Sequence, residues 1–392
     1  MIYLDNNATT ALDPDVLEEM IPYLTLSYGN ASSIQHKPGR IASAAVVKAR
    51  KQIATSIHAS EKEIFFNSGA TEAINTVIKG VFALYSGKGK HIITSATEHK
   101  AVLACCEHLE KKGAEITYVP TDNNGMIDTS TLADLIRPDT ILVALMAANN
   151  ESGVIHPIEE IATITKEKNT LFFCDATQYV GKVPLNLEKT MIDILCFSAH
   201  KFHGPKGAGA LYIRRKSRPT QIEPLIHGGK QEQGFRGGTY NVPAIVGMGK
   251  ALELAVSDLT CQQNISDLRD LLESTILTEI PDTEVIASAV SRIANTSNIT
   301  FKHTKATEIM SRLPDIAISA GSACVSGDRD PSHVLIAMHR SDEEAFCSLR
   351  FSLSRYTTEE EIKETVAKLR TVVRQIRDQS PVWQLYKDGL LD

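Results

Sequence analysis

Six short stretches of this chain set apolar residues side by side and do not alternate strictly between polar and apolar: 64–66, 91–95, 116–119, 141–148, 171–174 and 194–197. A strand with one wet face alternates; one that is apolar throughout is buried on both faces. Such strands belong to a parallel sheet with helices packed on each side. Helical spacing fills the intervals, first with Ile41, Ala45, Ala49, Ile53 and Ile57, then with Ile74, Val77, Ile78, Val81 and Tyr85. Residues 209–213 read as a seventh strand. Only residues 200–208 separate it from its predecessor, too few for a parallel crossover, so it is expected to run antiparallel.

At 392 residues the chain exceeds the roughly 250–300 at which a single core stops growing, so two domains are expected. Glycine and proline crowd the run 216–245, which reads as a long loop of the functional kind. A helical region follows over 244–279. Beyond Pro281 short strands and helices alternate, and Thr357 to Glu361 cap a final helix carrying Ile362, Val366, Leu369, Val373 and Ile376. The expected architecture is therefore α/β. A large domain, 13–255, holds a mostly parallel, helix-covered sheet of about seven strands. A smaller α+β domain comprises 1–12 and 256–392.

Forty-one Lys plus Arg against 47 Asp plus Glu give a net charge of −6, which argues against nucleic acid as a partner. The N-terminus shows no secretory pattern, and the longest apolar run, 141–148, is far below the roughly 18 residues of a membrane span. A cytoplasmic protein without membrane contact is the expectation. Seven scattered cysteines contain no Cys-x-x-Cys pair, so neither a disulfide framework nor an intrinsic metal is expected. Cys174 and Cys196 sit in apolar runs and read as small buried hydrophobes.

Ligands of an open parallel sheet bind at the carboxyl ends of its strands, and those ends are chemically unusual here. The first runs into Ser68-Gly69-Ala70-Thr71 at the start of a helix, a place for a phosphate or simply a helix cap. The second leads to His99, the fourth to Asn149-Asn150-Glu151, and the fifth to Asp175-Ala-Thr-Gln178. The sixth leads to Ser198-Ala-His200-Lys201 before Gly204-Pro205 breaks the chain. Each has an ordinary explanation when taken alone: a structural histidine, an N-cap aspartate, a strand-end lysine. Together they offer a phosphate cradle, an amide, a carboxylate, imidazoles and a lysine. Pyridoxal 5'-phosphate uses that set, held by a lysine with an aspartate on its pyridine nitrogen.

In the second domain, Gly321-Ser-Ala-Cys324 is followed by Gly, Asp and Pro, so residues 325–331 read as an exposed, mobile loop behind a nucleophilic thiol. Arg350, Ser352 and Ser354 alternate along one strand face, where Arg350 could fork onto a carboxylate. An incidental loop cysteine and a surface arginine are the plain alternatives.

Over nearly its whole length the chain resembles the cysteine desulfurases of the NifS/IscS type, within the class V aminotransferase-like, fold-type I pyridoxal phosphate enzymes. The residues that carry the resemblance are Tyr3 to Thr10, Ser68 to Glu72, Glu98-His99, Asn149 to Glu151, Asp175 to Gln178 and Ser198 to Lys201. It continues through His227 to Gly229, Arg236 to Thr239, Gly321 to Cys324 and Arg350 to Tyr356. The resemblance implies that Lys201 links to the cofactor and shuttles protons, Asp175 pairs with its ring nitrogen, and His99 stacks on the ring and moves protons. Gln178 would bond the ring hydroxyl, with Asn150 beside it. Ala70, Thr71, Ser198 and His200 would hold the phosphate, with Thr239 and Arg236 reaching it from the neighbouring subunit of a homodimer. Asn30 and Arg350 would bind the carboxylate of L-cysteine. Cys324 would take the sulfur as a persulfide, release alanine, and pass the sulfur to an iron–sulfur scaffold or another acceptor protein.

Three departures stand out: Ala31 where the family often has Pro, no acidic Glu-Gly-Glu pattern before the nucleophile, and an end soon after Trp383. A selenocysteine lyase, another class V transferase, and a non-catalytic protein that keeps the fold are the competing readings.

Overall fold

The computed structural model describes residues 1–215, 220–321 and 330–390. The chain opens on strand β1 (Ile2–Tyr3) and two helices, α1 (Pro14–Thr25) and α2 (Lys37–Ser56). It then builds a seven-stranded sheet from β2 (Ile64–Asn67), β3 (His91–Ser95), β4 (Glu115–Val119), β5 (Thr140–Met146), β6 (Leu171–Asp175), β7 (Ile194–Ser198) and β8 (Gly209–Ile213). The strands lie in the order β2-β8-β7-β6-β5-β3-β4. Strand β8 is antiparallel to both of its neighbours, as its short connection requires, and every other neighbouring pair is parallel.

Successive side chains enter opposite layers. Phe66, Ile93, Val143, Phe172 and Leu195 pack into one core with α2 and the helix Val242–Ser257. Phe65, Ile92, Leu142, Phe173 and Cys196 pack into the other with α3 (Ala70–Tyr85) and α4 (Lys100–Glu110). Burying one such large side chain is worth about 1.5–3 kcal/mol, against at most about 1 kcal/mol for an exposed ion pair. These layers, not surface charge, hold the sheet. Cys174 and Cys196 are fully buried among them. The edge strand β4 departs from the pattern, for Glu115 and Tyr118 are exposed where no further strand covers them.

The helical region expected over 244–279 is two helices, Val242–Ser257 and Cys261–Glu279. The first buries its stripe against the seven-stranded sheet, the second sends Ile265, Leu272 and Ile276 into a different core, and the chain bends at Asp258 between them. That other core lies on β9 (Thr283–Val285), β10 (Thr296–Phe301), β11 (Ile316–Ala317), β12 (Ser319–Ala320) and β13 (Ser348–Ser352). Four of these form an antiparallel sheet ordered β12-β13-β10-β9, while β11 pairs in parallel with β1. Ile2 and Leu4 belong to this core, beside Ile299, Phe301, Leu349 and Phe351.

Thr358 and Glu361 form the capping box of the helix Glu359–Asp378. That helix is not the last: Ser380 caps a further one, Pro381–Lys387, whose Trp383 ring lies under the Arg377 guanidinium at 4.1 Å. Strand β13 ends at Ser352, so Ser354 does not share a strand face with Arg350.

The link that matters for function is the N-terminal segment. The Asn6 N–H donates to the Ser352 carbonyl, Thr10 N–H to the His200 carbonyl, and Asp13 N–H to the His203 carbonyl. Residues 4–13 thus run from the second sheet to the loop that follows β7.

Candidate active site

Strand β7 ends on Ser198, and a single 3₁₀ turn, Ala199–Lys201, delivers the lysine. Its Nζ donates to the Asn7 carbonyl at 2.6 Å and the Ala8 carbonyl at 2.8 Å. Burial and, next, the Arg350 charge pull its pKa from 10.5 to about 8, against the opposing pull of Asp175 and Asp5. About a tenth of such an amine is neutral at pH 7, far more than of a solvated lysine. Acetylation of Lys201 by a trace of acetic anhydride, followed by mass spectrometry on the cofactor-free protein, is expected to accelerate with pH and level off above about 8. A midpoint near 10 would show that the amine is an ordinary solvated lysine.

Asp175 closes β6 and is buried. Its Oδ1 accepts the Thr177 N–H at 2.9 Å and hydroxyl at 2.5 Å, with the Cys196 thiol at 3.7 Å. Among the described residues no hydrogen bond reaches Oδ2. An open carboxylate oxygen on a buried residue suits a cationic N–H donor.

Gly69, at φ +147°, caps α3, and a Cβ there would stand 3.3 Å from Ser198 Oγ. A side chain at this position would therefore crowd the place where the helix start meets the end of β7. The N–H groups of Ala70 and Thr71 lie in the first turn, without intrahelical acceptors, at the positive end of a 16-residue helix. His200 Nδ1 lies 3.2 Å from Thr9 Oγ1, and burial, reinforced by Lys201, lowers its pKa to about 4. It is a neutral imidazole, able to donate one hydrogen bond.

His99 caps α4 by accepting the Ala101 N–H on Nδ1 at 3.1 Å, which leaves the proton of the neutral ring on Nε2. Burial lowers its pKa, while the Asp175 charge works against the shift. Gln178 Nε2 donates to the Asn7 carbonyl at 2.9 Å. The Asn150 carbonyl accepts from Asn7 Nδ2 at 3.0 Å and from the Arg350 guanidinium at 3.1 Å. Arg350 is buried and already paired, at 2.7 Å to Asp5, with its Nε buried and unpartnered. A substrate carboxylate would share this guanidinium with Asp5.

Lys201, Asp175, His99, Gln178, Asn150 and Arg350 thus form one group, with Ser198 and the start of α3 beside it. Asn30 and Thr239 do not join it within the chain. Asn30 is exposed, its Oδ1 accepting from the Ser32 N–H, and Thr239 is exposed on the Gly-rich segment. Arg236 turns instead onto Glu72 in the first turn of α3, at 2.9 and 3.2 Å. Buried Glu232 pins that segment to β2 through the Arg50 fork and the Phe66 N–H. Cys324 and the loop after it, to residue 329, lie outside the described residues. Gly321 and Ser332, on either side, both meet Glu151: Ser332 Oγ donates to Glu151 Oε2 at 2.6 Å, and a Cβ at Gly321 would stand 2.7 Å from the same oxygen.

Sequence reasoning passed over Asp5, Asn7 and Lys182. Asn7 bonds at once to Lys201, Gln178, Lys182, Asn150, Asn295, Thr296 and Ser352. The i, i+4 spacing of Gln178 and Lys182 was the one available signal for the lysine.

The aminotransferase class-V family model matches residues 2–365. The chain belongs to that family, among the cysteine desulfurases of the NifS/IscS type. The cysteine desulfurase IscS of Anaeromyxobacter dehalogenans (strain 2CP-C) is 44% identical over 390 residues, 99% of this chain and 96% of the relative. A solved NifS-like protein superposes with a TM-score of 0.89 at 41% identity, covering 95% of this chain and 99% of its own. A second structure, SspA in complex with cysteine, gives 0.80 at 35% identity, covering 91% and 100%. Class V aminotransferases and cysteine desulfurases are pyridoxal phosphate enzymes. Among the described residues, no helix is long and apolar enough to cross a membrane.

Proposed function

We propose that this chain is a cysteine desulfurase that uses pyridoxal 5'-phosphate. It takes sulfur from L-cysteine, leaves L-alanine, and hands the sulfur from Cys324 to an acceptor protein for iron–sulfur cluster assembly. The observation that carries this reading is the open Oδ2 of buried Asp175 in the same group as an amine whose pKa is lowered to about 8.

The residues fit the cofactor. Lys201 would hold it covalently, Asp175 Oδ2 would take the ring N–H, and Gln178 would donate to the ring hydroxyl. His99 would cover the ring, with Asn150 beside it. The N–H groups of Ala70 and Thr71, with Ser198 and His200, would receive the phosphate. When bound, pyridoxal phosphate supplies an electron sink for the bonds broken at the substrate's α and β carbons.

The chain does the rest. The fork of Arg350 orients the substrate carboxylate. Lys201 Nζ, its proton held less tightly because of burial, takes one from the α carbon and returns one to the carbon skeleton. His99, its proton on Nε2, exchanges a proton with the substrate thiol. The Cys324 thiolate attacks the substrate sulfur: the new S–S bond forms as the C–S bond breaks, and its electron pair with one proton makes the methyl group of alanine. The sulfur is oxidised, the carbon is reduced, and no outside oxidant is consumed.

We read the working unit as a homodimer, with Thr239 offered to the neighbouring site while Arg236 is held on Glu72 of its own chain, and the chain as two domains at the boundaries given above. Supporting the dimer, Leu24 in the last turn of α1 and Leu26, Tyr28 and Ile34 beyond it are exposed apolar residues, and among the described residues Thr239 makes no side-chain hydrogen bond. Purified protein given pyridoxal phosphate and L-cysteine with a reductant is expected to yield alanine and sulfide in equal amounts. L-Selenocysteine, run beside it, is expected to turn over no faster. Alanine without sulfide, or turnover of selenocysteine alone, would overturn the assignment.

A further inference from the structure

We propose that Lys182 is a positioning residue for this reaction, fixing Gln178 as a hydrogen-bond donor toward the cofactor and steadying Asn7, on which Lys201 rests. The inference rests on the pyridoxal phosphate reading above. Lys182 stands in the tight turn after β6, four residues beyond Gln178. Gly181, at φ +79°, lets that turn press against Phe202 and Ala255, where a Cβ would meet side chains at 3.0 and 3.2 Å. Lys182 lines the same cleft as Lys201.

Its ammonium donates to Gln178 Oε1 at 2.6 Å and to Asn7 Oδ1 at 3.3 Å. Charged or neutral, this amine carries at least two N–H donors, one for each of the two oxygens. The oxygen of the Gln178 amide must therefore face Lys182, and the NH₂ must face the other way. One N–H of that NH₂ goes to the Asn7 carbonyl, at 2.9 Å. The second is left for an acceptor in the cleft, which is the part the ring hydroxyl of the cofactor plays. Without Lys182 only the Asn7 carbonyl opposes the flipped amide, and the Gln178 oxygen loses the donor that holds it in place. Asn7 is oriented by the same logic, since its Oδ1 accepts from Lys182 and Asn295 while its Nδ2 donates to Thr296 and Asn150.

No carboxylate among the described residues forms an ion pair with Lys182. Burial first, then the charges of Lys201 and Arg350, lower its pKa to about 7. A cation without a counter-ion, placed beside two others, costs stability that methionine or leucine would not. Its place here is explained by what its donors orient.

The test is a double-mutant cycle on the full-length chain loaded with pyridoxal phosphate, using Lys182→Met, Gln178→Ala and the pair. Two quantities are read: kcat and KM for alanine formation, and the wavelength and pH midpoint of the cofactor's absorption band. Each single variant is expected to lose about tenfold in kcat/KM, the size of one charge-assisted hydrogen bond, mainly in kcat. The double variant should be no worse than Gln178→Ala. The absorption band of Lys182→Met should move in the direction seen in Gln178→Ala, and Lys182→Arg should restore it. Losses that multiply to about a hundredfold in the double variant, or an unmoved band, would overturn the proposal while leaving the desulfurase reading intact. So would failure of both Lys182 variants to fold, which would make the residue structural. A wild-type chain that takes up no pyridoxal phosphate would overturn both.

Discussion

Lys201→Ala is expected to lose at least about 10⁴-fold in alanine formation, because it removes the covalent hold on the cofactor and the base at the α carbon together. Yellow colour that persists with the cofactor, but is no longer fixed to the protein by borohydride, is the accompanying sign. Activity within tenfold of wild type would sink the assignment of Lys201. The same variant should fold at least as well as the parent. The folded-state pKa of Lys201, about 8, lies below the ordinary 10.5, so the folded protein holds its proton less tightly than the unfolded chain. The charged amine therefore opposes folding fully at pH values below about 8, and the penalty fades as pH rises toward 10.5. Thermal melts should show the variant gaining most on the wild type below pH 8 and losing that advantage above pH 10.5. A lower melting temperature at neutral pH would mean that its bonds to the Asn7 and Ala8 carbonyls outweigh the cost of burying the charge.

Cys324→Ser is expected to stop sulfur transfer while leaving the cofactor in place. A free thiol is already a few per cent thiolate at neutral pH and strongly nucleophilic, whereas a serine hydroxyl is not ionised and attacks sulfur poorly. Sulfide release from L-cysteine should fall by about 10³-fold or more, with the absorption band of the Lys201-linked cofactor unchanged. Sulfide release at the wild-type rate would show that the sulfur leaves without passing through this cysteine. A lost band would mean instead that residue 324 supports the cofactor site.

The strand ends were legible because each candidate side chain of the large sheet sits one to five residues after an apolar run, and a buried strand is the easiest element to recognise. The reversed direction of β8 followed from its short connection alone. Less legible was anything decided by a distant partner. Arg350 reads as a free fork until Asp5, 345 residues away, is found against it. Arg236 reads as a reach toward a neighbour until it meets Glu72. The break at Asp258 depends on two helices choosing different cores, and no local propensity announces that. Lys182 was missed for a related reason: its partners are an amide and an asparagine brought together by the fold, and composition marks neither.

The segment 4–13 also bears on when the site can exist. Asn7 is made long before Ser352, yet its N–H rests on Ser352 Oγ, 345 positions later, and that of Asn6 on the Ser352 carbonyl. Closing so long a loop is slow, and the contacts that reward it come only at the end. The seven-stranded sheet can assemble during synthesis, but the carbonyls that receive Lys201 stay unplaced until β13 has been made and docked. A nascent chain stalled before residue 348 would carry every large-sheet residue of the site and still lack the seat of its lysine.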